Sequence, residues 1–143
     1  PTLEAVAYQH REAAPRLWAV VDAGRGQVHA ATFKRDRGGV VQQGDYAVLT
    51  PDELAERLAG ETRPVLVCGE LYPVLAEALR PLETPGRGGP RGSRAGAPLV
   101  RLASLAATLR RPAFLAEIAL LRLARGEVGD AAALQPLYLR RGP

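Results

Sequence analysis

Hydrophobic and polar positions alternate along this chain in two periods, and the switches between them divide it into elements. Leu3, Val6 and Ala7 fall at i, i+3 and i+4, the face of a short helix over Thr2–Tyr8 with Thr2 as its N-cap. Pro15 ends that segment. Leu17–Val21 is an unbroken apolar run, the pattern of a strand covered on both faces. The chain then breaks at Gly24 and Gly26 and resumes as an apolar–polar alternation from Gln27 to Phe33. Two such runs around a short Gly-rich break predict a β-hairpin over Trp18–Phe33, with Asp22 folding back on nearby backbone N–H groups. Lys34–Gly39 reads as a polar turn and Val40–Leu49 as a third strand, completing an antiparallel meander.

The second half changes period. Thr50-Pro-Asp-Glu53 is a capping box with proline at the first helical position, Leu54 and Leu58 share a face, and Gly60 is the stop. Pro64–Gly69 is a short apolar run bounded by breakers, a buried strand, and Leu71–Leu79 a helix closed by Pro81. Strand, helix, strand, helix in that order predicts parallel pairing through right-handed crossovers. Residues 84–98 hold no large apolar side chain and read as a flexible Arg/Gly-rich loop. Leu99–Leu109 reads as a short strand running into a helix. Pro112 opens a helix with Phe114, Ile118 and Leu121 at i, i+4 and i+7 and Gly126 as its stop. The closing Leu134-Gln-Pro-Leu-Tyr-Leu-Arg140 is an apolar segment expected to dock, pinned by Tyr138 and Leu139. Trp18, Tyr46 and Tyr72 are expected at the core or its edge.

Composition narrows the chemistry. The 143 residues suit a single domain, and no apolar run approaches the roughly 20 residues of a membrane-spanning helix. The sequence contains no methionine, and the expectation is that it is an excised part of a longer protein. Cys68 is the only cysteine, which excludes an internal disulfide and fits a buried thiol in a reducing, cytoplasmic setting. His10 and His29 are the only histidines and have no partner at metal-ligand spacing, so a metallopeptidase site with three protein ligands is not supported. Ser93 and Ser104 lie in no nucleophile elbow. No catalytic or metal-binding residue and no cofactor is expected, and residues for binding a cofactor are left unassigned.

The net charge of +4 is concentrated. Arg80–Arg111 contains seven arginines against the single Glu83, while the rest of the chain is slightly acidic. Arg87, Arg91 and Arg94 are therefore the candidate contacts for RNA phosphates, weak and salt-dependent. With no aromatic residues interleaved for base stacking, the plainer reading of residues 84–98 is a solvated insertion.

Four separate strings, in order, resemble one family. Thr2-Leu-Glu-Ala-Val-Ala7 is similar to its "SLEALA" helix, and Val20-Val-Asp-Ala-Gly-Arg-Gly-Gln-Val-His-Ala30 to its "VDARRGEVYA" hairpin. Arg111–Glu127 resembles its last long helix, and Leu134–Arg140 its "L-x-P-x-Y-L-R" close. The family is TsaB, also called YeaZ, and the resemblance covers only the C-terminal half of such a protein. It implies an actin-like (ASKHA, ribonuclease-H-like) C-terminal lobe over residues 1–143, a mixed sheet with a three-strand antiparallel meander and packed helices, its N-terminal lobe absent. It also implies a non-catalytic scaffold role in placing threonylcarbamoyl on tRNA adenosine. The partner would be a TsaD-type subunit, with tRNA contacted indirectly and a homodimer possible. The family's main pairing surface lies in the absent lobe. The wider group has carried a glycoprotease-like peptidase label, and an actin-like ATPase and an RNA-contacting module are the alternative readings. Cys68-Gly69-Glu70 stands where the family has Gly-Asp-Gly, Gln27 where it has Glu and His29 where it has Tyr. The first of these changes makes the lobe a poor independent nucleotide site, because a phosphate cradle needs small residues and free N–H groups.

Overall fold

A computed structural model describes residues 2–83, 99–133 and 135. The chain runs α1 (Thr2–Gln9), β1 (Arg16–Gly24), β2 (Gln27–Asp36), β3 (Gly39–Leu49), α2 (Pro51–Ala59), β4 (Val65–Gly69), α3 (Pro73–Glu83), β5 (Val100–Leu102) and α4 (Pro112–Ala124). Short 3-10 turns lie at Leu105–Ala107 and Ala131–Ala133. The five strands form one mixed sheet in the order β3-β2-β1-β4-β5. β1, β2 and β3 pair antiparallel, whereas β4 runs parallel to β1 and β5 parallel to β4. The predicted α/β order of meander then crossovers is present.

β1 is the spine because alternate residues feed two cores. Trp18 and Val20 join Val28, Ala30, Leu54, Leu58, Val67, Leu75 and Leu79 beneath α2 and α3. Leu17, Ala19 and Val21 join Phe33, Leu66 and Cys68 beneath Leu3, Val6 and Ala7 of α1. The unbroken apolar run of β1 is thus explained by a helix layer on each face. Burial pushes the Cys68 thiol up to about 12, so the thiolate required for reaction is absent at neutral pH. Trp18 is buried and donates from Nε1 to Glu61 Oε1 at 2.8 Å.

The hairpin turn is built as its glycines require. Gly24 pairs with Gln27, and Arg25 and Gly26 between them have φ of 54° and 71°. Both central residues of a type I′ turn need positive φ, which suits glycine far better than arginine. Asp22 Oδ1 accepts from Gly24 N at 2.9 Å, as the sequence suggested. The capping box of α2 is also formed: Glu53 N donates to Thr50 Oγ1 at 3.3 Å and Thr50 N to Glu53 Oε2 at 2.7 Å. Gly60 follows α2, but with φ of −79° rather than the left-handed value common at helix ends.

Three expectations are corrected. Lys34–Asp36 belong to β2 rather than to a turn: they pair with Val41, Val40 and Gly39, and only Arg37 and Gly38 turn the chain. Their polarity reflects an exposed end of the sheet, where the ladder needs backbone partners and not apolar side chains. Pro81 does not close α3, which runs to Glu83. The proline forgoes a single backbone donor near the helix end, while Leu79 is buried and Glu83 Oε1 accepts from Leu102 N at 3.0 Å, anchoring the last turn to β5. Of the predicted core stripe of α4, Ile118 is buried, Phe114 is half-buried and Leu121 is exposed.

α4 is attached mainly through polar groups. Arg122 donates from Nη2 to both carboxylate oxygens of Glu4, each at 2.7 Å. Glu117 Oε1 accepts from the Tyr8 hydroxyl at 2.7 Å and from Arg11 Nη2 at 3.2 Å. The Arg11 guanidinium lies 4.0 Å from the Tyr8 ring centroid, and Phe114 meets Tyr8 edge-on with centroids 6.2 Å apart. Burial first, then the hydrogen bond to Glu117, raises the Tyr8 phenol above its ordinary value.

Candidate functional site at the carboxyl ends of the parallel strands

Open α/β sheets bind ligands outside the carboxyl ends of their parallel strands, so that edge is where chemistry is sought first. Here it is formed by Asp22 at the end of β1, Gly69 and Glu70 after β4, and the segment that leaves β5. Two strand ends approach closely. Glu70 N donates to Val20 O at 3.0 Å, extending the β1–β4 ladder past Gly69. Gly69 has φ of 111°, and a Cβ there would stand 2.0 Å from Val20 O. No other residue fits.

The turn at Gly69 carries the Glu70 side chain across the end of β1. Its Oε2 accepts from Asp22 N at 2.8 Å, and its Oε1 takes Arg110 Nη2 from the segment between β5 and α4. A carboxylate that engages a backbone N–H and a guanidinium together occupies the donors an anion would otherwise use. Asp22 adds a second negative group beside it. Tyr72 lies nearby: burial first, then the charge of Asp22, raises its phenol, and its hydroxyl is buried with no hydrogen-bond partner among the described residues. At this edge the Asp22 N–H and the Arg110 guanidinium are thus both engaged by the protein's own acid.

Neither histidine gains a partner of catalytic type. His10 lies just after α1, where burial first lowers its pKa, a hydrogen bond to the Ala107 backbone works against that, and Arg111 adds to it. His29 sits in β2 opposite Val21, and its Nδ1 is buried without a hydrogen-bond partner among the described residues. No group of three His, Cys, Asp or Glu side chains able to hold a metal ion occurs among the described residues. The candidate RNA contacts Arg87, Arg91 and Arg94, the whole 84–98 stretch and the closing Tyr138-Leu139-Arg140 lie outside the described residues. Sequence reading missed the role of Glu70 as an internal ligand. The signal available was its position directly after a buried strand ending in glycine.

Over this geometry the structure superimposes on YeaZ from Pseudomonas aeruginosa with a TM-score of 0.67. The fold is YeaZ-like. That alignment takes in 96% of this chain and 56% of YeaZ, at 24% identity. A second crystal structure, of an uncharacterized protein with similarity to peptidase YEAZ from Pseudomonas aeruginosa, gives a TM-score of 0.66, 24% identity, 97% of this chain and 56% of the other. The chain thus spans little more than half the length of the YeaZ-like structures it matches. No family model and no curated protein matches the sequence. No described helix is long and apolar enough to cross a membrane.

Proposed function

We propose that this chain is the C-terminal lobe of a TsaB-like scaffold that takes part in threonylcarbamoyladenosine formation on tRNA. The observation that carries the reading is the YeaZ-like fold over 96% of the chain. The hairpin and last-helix strings of the sequence agree with it, both lying in the expected elements. In this reading the lobe has the actin-like (ASKHA) architecture, works in the cytoplasm without a cofactor of its own, and acts through a complex with a TsaD-type subunit that holds the transfer chemistry. Glu70 supports the non-catalytic part of the proposal. With Asp22 N and Arg110 already engaged, this end of the sheet offers a nucleotide phosphate few free donors.

The test is made on cells and on the purified chain. Deleting its coding sequence is expected to lower threonylcarbamoyladenosine in bulk tRNA, measured by nucleoside mass spectrometry. An unchanged level overturns the assignment. Calorimetric titration with ATP is expected to give no binding heat, and micromolar binding with hydrolysis would return the reading to an actin-like ATPase.

A further inference from the structure

The β2–β3 ladder is interrupted once. Thr32 of β2 pairs with Gln43 and Ala30 with Ala47, so Gly44, Asp45 and Tyr46 stand opposite Ala31 alone. Gly44 turns the strand with φ of 72°, Gln42 Nε2 donates to Gly44 O at 2.8 Å, and the Thr32 hydroxyl donates to Gln43 O. A bulge of this kind bends its strand and re-aims the side chains beside it. Here it borders a cavity of about 350 Å³. Trp18, Ala30 and Ala31 give that cavity its apolar lining, and Arg16, Arg57 and Asp45 its charges.

Both guanidiniums have donors to spare. Arg16 is held by Glu61, whose side chain is 9% exposed. Arg16 Nη2 lies 3.4 Å from Glu61 Oε1, the same oxygen that accepts from Trp18 Nε1. That contact uses one end of the fork. Arg16 Nε is buried with no hydrogen-bond partner among the described residues. A buried donor is ordinarily paired, and one left over at the wall of a cavity calls for an oxygen from outside. Arg57, exposed in the last turn of α2, forms no ion pair among the described residues.

We infer that this cavity binds a small monocarboxylic acid, its carboxylate taken by Arg16 and Arg57 and its apolar body by Trp18, Ala30 and Ala31. The planar guanidinium fork matches a carboxylate atom for atom. Charge selects a single negative group over a phosphate. Arg16 and Arg57 are offset by Glu61 and Asp45, so the surroundings are near neutral before a ligand enters, and Asp45 repels every further negative charge. A triphosphate is thereby disfavoured, in keeping with the absence of ATP binding expected above. The volume is at the small end of ligand pockets and suits a body of a few carbon atoms. Glu61 is a positioning residue, holding Arg16 against Trp18 at the cavity wall. The inference does not rest on the scaffold role.

The chain has one tryptophan, so a proton–nitrogen correlation spectrum carries a single indole signal, from the Nε1–H that meets Glu61. Sodium butyrate, titrated at neutral pH and constant ionic strength, should shift that signal and the amides of Thr32, Gly44 and Asp45 on one saturating curve. A Kd of roughly 1 mM is expected for a ligand of about six heavy atoms. Butyramide, its uncharged counterpart, and inorganic phosphate should each bind about tenfold more weakly or worse. Arg57→Gln should weaken butyrate binding about fivefold or more. Arg16→Lys should do the same, because an ammonium keeps the charge and loses the fork. Asp45→Asn should tighten binding about twofold by removing the repelling group. Arg57 and Asp45 are exposed, so spectra unchanged away from the cavity confirm that those variants fold. No saturating shift up to about 50 mM butyrate, butyramide or phosphate binding as well as butyrate, or arginine variants equal to the wild type would each overturn the proposal. So would an Asp45→Asn chain that fails to bind more tightly.

Discussion

At the scale of single residues, Gly69 has no freedom. It combines a positive φ with a strand carbonyl in the space a Cβ would fill, so neither relaxing the backbone nor moving a flexible side chain relieves a substitution. Gly69→Ala should cost at least about 3 kcal/mol in urea unfolding, by strain and by loss of the β1–β4 junction. A loss below 1 kcal/mol would mean that the junction is looser than the geometry states. Glu70, its neighbour, illustrates what sequence can and cannot deliver. Its position after Cys68-Gly69 signalled a departure from a phosphate cradle. That its two oxygens would find Asp22 N and Arg110, one residue 48 positions away and the other 40, is set by the crossover of β4 beside β1 and by no local spacing.

Elements were legible in proportion to how many local signals agreed on them. α2 has a capping box, a proline at its start and two leucines on one face, and all of these act within ten residues. β1 was readable as a two-sided strand because nothing polar interrupts it until Asp22. α4 was readable as a helix but not in its orientation. Its i, i+4, i+7 stripe found the buried Ile118 and half-buried Phe114 but not the exposed Leu121, and Glu117 and Arg122 take partners on α1 that no local spacing shows. A joint of this kind is weaker than a packed core, because partly exposed ion pairs contribute about 1 kcal/mol or less. Glu117→Ala should therefore speed amide exchange in α4 about fivefold while leaving β1 unchanged, as read by hydrogen–deuterium exchange. Equal acceleration in both elements would show that α4 opens only with the whole fold.

For the molecule as a whole, the pH dependence of stability follows from His10. Its pKa is lowered in the folded state, chiefly by burial, whereas the unfolded chain has the ordinary value near 6.5. Below that value the unfolded state binds the proton more readily, so His10 contributes stability that is complete above pH 6.5 and is lost as pH falls through the window beneath it. Melting temperature should fall between pH 7 and pH 5.5 in the wild type and fall less in His10→Gln. Parallel slopes for the two proteins would contradict the burial of His10. The global arrangement of a meander followed by two crossovers was legible, since each piece is set by alternation and chain order. α1 was legible as a helix from Leu3, Val6 and Ala7, but its place over the second face of the sheet was not. Eight residues at the start of a sequence do not announce that they will shield Leu17, Phe33 and Cys68.

The central place of β1 also has a consequence for birth at the ribosome. β1, β2 and β3 are consecutive and can zip together as soon as they emerge, but the outer edge of β1 waits for β4, more than forty residues later in the chain. Until then Leu17–Val21 shows an unpaired, wholly apolar strand edge, the kind of edge that recruits neighbouring chains. Crowded nascent copies on one messenger would meet at this edge first. The chaperone demand of this fold is thus set by the interval between its first strand and its fourth.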